Sequence, residues 1–227
     1  MSNVSKENYL KTIFNYNHGR GESAVTTKLA HDLSVSNAAI SDMAKKLSKD
    51  GLIFYKKYQG IELTEKGQKI ALEVIRRHRL WELFLVKVLH LSWSEVHDQA
   101  EALEHNTSEF LIDKIDEYLG YPEFDPHGKP IPKRNGSLPK VEEYILLSDA
   151  VHGCTYRLVQ VNEKDNKLIN YLSKIGLLLN TEFEVVDKLD FDNSITICFE
   201  NKSFLISQKI SENIYVKQLK KYSNNNK

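Results

Sequence analysis

The segment Val96-His97-Asp98-Gln99-Ala100-Glu101-Ala102-Leu103-Glu104-His105 concentrates side chains that can hold a cation. On one helix, His97, Glu101, Glu104 and His105 stand at i, i+4, i+7 and i+8, which at about 100° per residue places them within roughly a 100° arc of one face. The stretch before it offers His78 and Glu82, again at i, i+4. Two adjacent helices thus present three imidazoles and three carboxylates. Mixed nitrogen and oxygen donors suit a divalent transition ion, and with no thiolate among them manganese or ferrous iron fits better than copper(I). Six such groups could serve two ions, since each ion takes only ~4–6 protein groups. The competing reading is a solvated helix with i, i+4 acid–base pairs. Six residues on two neighbouring helices weigh against it.

The elements that must position these residues follow from the apolar pattern. A first helix is predicted from about Lys6 to Asn17, with Tyr9, Leu10, Ile13 and Phe14 at helical spacing, followed by a loop at 18–23. Two short helices follow, one carrying Leu29, Ala30 and Leu33, the other Ile40, Met43, Ala44 and Leu47. Ser36 can cap the second and Gly51 can end it. Leu52–Tyr55 and Ile61–Thr64 read as strands around the basic turn Lys56-Lys57-Tyr58-Gln59-Gly60. Helix-turn-helix plus a basic hairpin is a winged helix. On it, Ser36, Asn37, Ser41 and Asp42 are candidates for base or phosphate contact, and Lys45, Lys46, Lys56 and Lys57 are phosphate candidates. Asp42 is unfavourable beside phosphates and needs a donor or a basic neighbour. Each lysine taken alone reads more readily as a solvated surface charge.

A long helix is predicted from Thr64–Gly67 to about Leu89, then helices at Glu95–Asn106 and Ser108–Leu119. Phe110, Leu111 and Ile115 on the last of these could serve a dimer or the subunit core. All five prolines fall in 121–140, an extended connector. Beyond it, short β-type runs at Tyr156–Val161, Glu182–Val186, Ser194–Phe199 and Ser203–Ile206, with one helix near Lys167–Ile175, read as an SH3-like barrel. The tail Ser223–Lys227 is polar, with disorder expected. The fold class is mainly α with small β parts. Three domains are expected: a winged helix at 1–72, a helical part carrying the candidate metal ligands with the connector at 73–140, and the barrel at 141–222.

The chain has 227 residues and a formal net charge of zero, but the charge is unevenly placed. Residues 1–76 carry a balance of +4 and residues 77–145 one of −5. A basic module followed by an acidic one suits an anion-binding part and a cation-binding part. No apolar run approaches the ~20 residues needed to cross a bilayer, and MSNVSKENYL lacks the apolar core of a signal peptide, so a cytoplasmic protein without a membrane partner is expected. Cys154 and Cys198 form no CxxC pair and read as core thiols. HExxH spacing, a serine elbow, a phosphate-cradling glycine loop and a paired-cysteine deaminase motif are all absent, so no enzyme is expected.

The segments RHRLWE, VHDQAEALEH and PHGKPIP, at these separations and together with NYLKTI and the DGLI-to-LTEKG wing, resemble the diphtheria toxin repressor family of metalloregulators, including its manganese transport regulator branch. The resemblance covers nearly the whole chain. It implies a winged helix, a helical dimerisation and metal domain, and an SH3-like domain. It maps a principal metal site onto Asn8, Glu101, Glu104 and His105, and an ancillary site onto His78, Glu82 and His97. A carboxylate of the barrel would complete the latter, Asp165 first and Glu163 next. Where streptococcal-type members place a metal-binding cysteine in the connector, this chain has Asp125. Glu101 stands where iron-responsive members carry cysteine and manganese-responsive ones glutamate, while Asn8 replaces the aspartate usual in the manganese branch and the methionine of the iron branch. The resemblance therefore implies a homodimeric, Mn(II)-dependent repressor of metal-ion uptake that binds double-stranded DNA at a palindromic operator. An Fe(II)-responsive repressor of the same family, or a winged-helix regulator sensing a non-metal ligand, are the alternatives.

Overall fold

The computed structural model describes residues 3–19, 24–56, 60–163 and 165–221. Lys57, loop residues 20–23 and the tail Ser223–Lys227 lie outside the described residues, as does the side chain of Lys56. The chain forms two compact units. Residues 1–81, 100–120 and 131–138 make the first, and residues 82–99, 121–130 and 139–227 the second.

The first unit starts with α1 (Asn3–Phe14), which buries Tyr9, Leu10, Ile13 and Phe14 and ends in a wider turn at Asn15–Gly19 where regular helix was predicted. Helices α2 (Thr26–Asp32) and α3 (Asn37–Lys49) follow. The Ser36 hydroxyl accepts from the Ala39 amide at 3.1 Å, occupying an otherwise orphaned donor of the first turn of α3. At the other end Gly51 adopts φ +68°, and the Leu52 amide closes back on the Leu47 carbonyl at 2.9 Å. Strands β1 (Ile53–Lys56) and β2 (Gly60–Leu63) pair antiparallel, with Ile53 opposite Leu63 and Lys56 opposite Gly60. Thr64 then opens α4 (Glu65–Lys87): its hydroxyl donates to the Gly51 carbonyl and accepts from the Gly67 amide. Gly67 must be glycine, because a Cβ there would lie 2.0 Å from the Leu52 carbonyl oxygen. One apolar cluster, from Tyr9 to Ile75, joins α1, α2, α3, the wing and the start of α4.

Helices α5 (Val96–Glu104) and α6 (Glu109–Tyr118) complete the helical part. Arg76, nearly buried on α4, reaches Asp113 at 2.9 Å and Asp116 at 2.7 Å on α6, while Arg77 reaches Glu109 at 2.9 Å. Ile112 and Ile115 face the core of their own subunit, whereas Phe110 is 74% exposed and Tyr118 70%. Of the three residues read as dimer candidates, Phe110 and Leu111 are left on the surface and Ile115 is not.

The second unit contains an antiparallel six-stranded sheet of β3 (Ile145–Leu146), β4 (Cys154–Val161), β5 (Glu182–Lys188), β6 (Ile195–Phe199), β7 (Lys202–Ile206) and β8 (Ile214–Lys221), in the order β3-β8-β4-β5-β6-β7. Helix α7 (Asn166–Ile175) connects β4 to β5, and α8 (Gln208–Ser211) precedes β8. The connector is not extended at its start. Asp125 Oδ1 accepts from the backbone amides of His127 and Lys129, and the Val161 amide donates to the His127 carbonyl at 3.0 Å. Gly128 sits at φ +87°, with space for a Cβ closed by the Val159 carbonyl oxygen at 2.0 Å. Among the described residues no helix is long and apolar enough to cross a membrane.

Candidate metal centre

In the first unit, α5 carries Glu101 and Glu104, with His105 just past its end. One ligand atom from each lies within 4.8 Å of the others. Glu104 is fully buried and Glu101 is 36% exposed. Glu7, on α1, accepts from His105 Nδ1 at 2.6 Å and is itself 3.5 Å from Arg77. A carboxylate accepts but does not donate, so this contact places the ring proton on Nδ1. In the neutral ring Nε2 then keeps its lone pair, as metal-ligating histidines do when a carboxylate orients them. That Nε2 is buried, makes no hydrogen bond, and lies 3.3 Å from Glu104 Oε1. Asn8 Oδ1 on α1 is likewise buried without a partner. Orphaned buried acceptors are uncommon, and here one of them, His105 Nε2, adjoins two carboxylates. The donors fit a hard or borderline divalent cation.

Lys11, one turn beyond Asn8, also enters this cluster. Its ammonium donates to Glu101 Oε1 at 2.5 Å and to Glu104 at 2.8 and 3.0 Å. Burial works against this cation, but the charges of Glu104 and Glu101 outweigh it and hold the Lys11 pKa above the usual lysine range. Burial similarly opposes the Glu104 carboxylate. The His78 hydrogen bond and the Lys11 charge override it, leaving the pKa below the ordinary value. His78 Nδ1 is 2.6 Å from Glu104 Oε2, so in this unit His78 pairs with a residue of the principal set.

In the second unit, Glu82, His97 and Glu163 bring ligand atoms within 4.8 Å of one another, as do Glu82, Asp125 and His127. His97 Nδ1 is 3.2 Å from Glu82 Oε1, and His127 Nδ1 is 3.7 Å from Glu82 Oε2. Desolvation disfavours a charged His127, yet the neighbouring Glu82 carboxylate, with the charges of Asp125 and Glu163, raises its pKa. Asp165, the first choice for a barrel ligand, is exposed and caps α7 by accepting from the Lys167 amide at 2.9 Å. The carboxylate that reaches Glu82 and His97 is Glu163, the second choice, which also pairs with Lys129. Sequence reasoning gave no role to Glu7, Lys11, His127 or Lys129. Glu7 and Lys11 could have been found as neighbours of Asn8 on the same turns of α1, and His127 from its place in the PHGKPIP motif.

On α3 the exposed residues include Asn37, Asp42, Lys45 and Lys46. Ser36 is engaged in capping, and the Ser41 hydroxyl donates to the Asn37 carbonyl of its own helix. Lys45 reaches Asp42 at 3.2 Å in an exposed i, i+3 pair.

This fold defines a winged-helix DNA-binding protein with a helical dimerisation domain and an SH3-like sheet domain. Residues 2–61 match the iron dependent repressor N-terminal DNA-binding domain, residues 64–133 the iron dependent repressor metal-binding and dimerisation domain, and residues 145–218 the FeoA domain. The chain is 36% identical over 126 residues to the iron-dependent repressor IdeR of Mycobacterium tuberculosis, covering 56% of this chain and 54% of that protein. It therefore spans about half the length of the mycobacterial repressors it matches. It is 34% identical over 121 residues to the transcriptional regulator MntR of Oceanobacillus iheyensis, covering 53% of this chain and 81% of that one. A solved manganese-dependent transcriptional repressor in complex with manganese is similar at a TM-score of 0.88 and 32% identity, covering 94% of this chain and 100% of that one. The chain belongs to the diphtheria toxin repressor family of metal-dependent regulators.

Proposed function

We propose that this protein is a Mn(II)-dependent transcriptional repressor of metal-ion uptake that binds a palindromic operator as a cytoplasmic homodimer and catalyses no reaction. The observation that carries the reading is the orphaned buried acceptor His105 Nε2 beside the carboxylates of Glu101 and Glu104, with a second orphaned buried acceptor, Asn8 Oδ1, on the helix that carries Glu7 and Lys11. The principal ligands are Asn8, Glu101, Glu104 and His105. A second ion position is formed by Glu82, His97 and Glu163, with Asp125 and His127 adjoining. The functional domains are 1–72, 73–140 and 141–222. The carboxylate at Glu101, in a cluster without cysteine, favours manganese over softer ions.

A bound ion supplies a cross-link between α1 of the DNA-binding domain and α5 of the dimerisation domain. The protein's own groups prepare that join. Glu7 fixes the His105 ring, Arg77 holds Glu7, and the Arg76 and Arg77 pairs fasten α4 to α6. Exposed Phe110, Leu111 and Tyr118 give α6 an apolar face for the second subunit. In a two-fold dimer, fixing α1 against α5 fixes the separation of the two α3 helices, which must reach major grooves about one helical turn, or a multiple, apart. The coupling is reciprocal and typically ~1–3 kcal/mol, so DNA must tighten metal binding by the same factor.

DNA binding titrated in parallel with Mn(II), Fe(II) and Zn(II) tests this reading. Stimulation at lowest concentration by Mn(II) is expected, and affinity indifferent to every metal would overturn the reading. The wing supplies a further expectation. Lys56→Ala should lower the slope of log affinity against log salt by about one unit, the effect of one lost phosphate contact. An unaltered slope removes Lys56 from the contact surface.

A further inference from the structure

A side-chain cation lies among the carboxylates of the principal cluster. Lys11 is on α1, one turn beyond Asn8, with only 12% of its side chain exposed. Its ammonium protons are directed at Glu101 Oε1 and at both oxygens of Glu104, the two carboxylates that adjoin the unpartnered Nε2 of His105. We propose that Lys11 is a built-in competitor for the metal: its ammonium neutralises Glu101 and Glu104 in the metal-free protein and must leave them when a divalent cation enters, so that Lys11 sets the metal concentration at which the protein responds. This rests on the metal-regulated reading and names the residue that tunes it.

The argument is electrostatic. Two carboxylates and one ammonium leave the cluster with a single negative charge to attract a dication. With the ammonium still in place, a dication on the same oxygens would stand about 3–4 Å from a like charge, where repulsion is strong in a partly desolvated site. The ammonium must therefore withdraw, and a flexible four-carbon stem permits that. The hydrogen bonds lost from Lys11 are subtracted from metal affinity. Removing the ammonium would leave two carboxylates and the His105 nitrogen in place and no competing cation. A lysine that only braced α1 against α5 would behave in the opposite way, since its loss would loosen the site and weaken metal binding.

The test uses full-length, metal-free protein in four forms: wild type, Lys11→Met, Lys11→Gln and Lys11→Arg. Mn(II) binding is measured by calorimetry, and thermal unfolding is followed with and without Mn(II). Lys11→Met and Lys11→Gln should bind Mn(II) at least about ten-fold more tightly than wild type, within the 5- to 150-fold range usual for coupled sites. Both should melt lower than wild type without metal and gain more from Mn(II), while Lys11→Arg, which keeps the cation, should not bind more tightly. If wild type binds Mn(II) and the folded neutral variants bind it no more tightly, Lys11 is a brace and the proposal fails. If no form binds Mn(II), the metal-regulated reading fails and the proposal fails with it.

Discussion

Glu104→Gln should weaken Mn(II) binding by about two orders of magnitude or more and abolish metal-stimulated DNA binding. Removing a supporting partner from a metal site already costs 10–100-fold in affinity, and Glu104 is proposed as a ligand itself. It is fully buried, where a charge cannot be replaced by solvent, and its carboxylate faces Lys11, His78 and His105 Nε2 together. Glutamine keeps the volume and one acceptor oxygen but removes the charge. The same change at Glu101, which is 36% exposed, should have a smaller effect because water screens that carboxylate. Mobility shifts with and without Mn(II), with circular dichroism as the check on folding, give the readout. Unchanged metal stimulation in a folded Glu104→Gln protein would remove Glu104 from the ligand set.

Gly128→Ala should lower the thermal midpoint of the second unit by about 10 °C. Two effects add. A side chain at φ +87° is strained by about 1–3 kcal/mol, and a Cβ at 2.0 Å from the Val159 oxygen forces overpacking of similar size against backbone that cannot swing aside. For a domain of this size each kcal/mol moves the midpoint by a few degrees. The turn that Gly128 closes carries Asp125 and His127, so binding at the cluster with Glu82 should fall as well. A midpoint within 2–3 °C of wild type would show that the turn relaxes freely and that Gly128 does not fix it.

The sequence reading reached the element types because the signals were local. Period-3.6 apolar spacing marked α4 and α6, Ser36 and Gly51 bounded α3, and alternation marked β4. Strand β8, which lies between β3 and β4, is hard to read from sequence because Gln218 and Lys220 interrupt the apolar face begun by Ile214 and Val216. The candidate cluster was legible where ligands share one helix, as Glu101 and Glu104 do. It was less legible where the partner comes from afar. Glu163 and Asp165 are two residues apart and chemically alike, and only the fold shows that one turns inward while the other caps α7. Lys11 was reachable only through its place one turn beyond Asn8, since its two carboxylate partners lie 90 and 93 residues further along the chain.

The indole of Trp93 lies flat against the His127 ring, with centroids 5.5 Å apart and planes 12° from parallel, and its Nε1 donates to the Pro126 carbonyl at 2.8 Å. An indole stacked on an imidazole loses emission when that ring gains positive charge or is drawn toward a cation. Trp93 emission is therefore expected to respond to the charge carried by the Glu82, Asp125 and His127 cluster. Only one other indole, Trp81, contributes background, and in Trp81→Phe protein a change in emission on adding Mn(II) would report an ion held at that cluster, while unchanged emission would speak against one there.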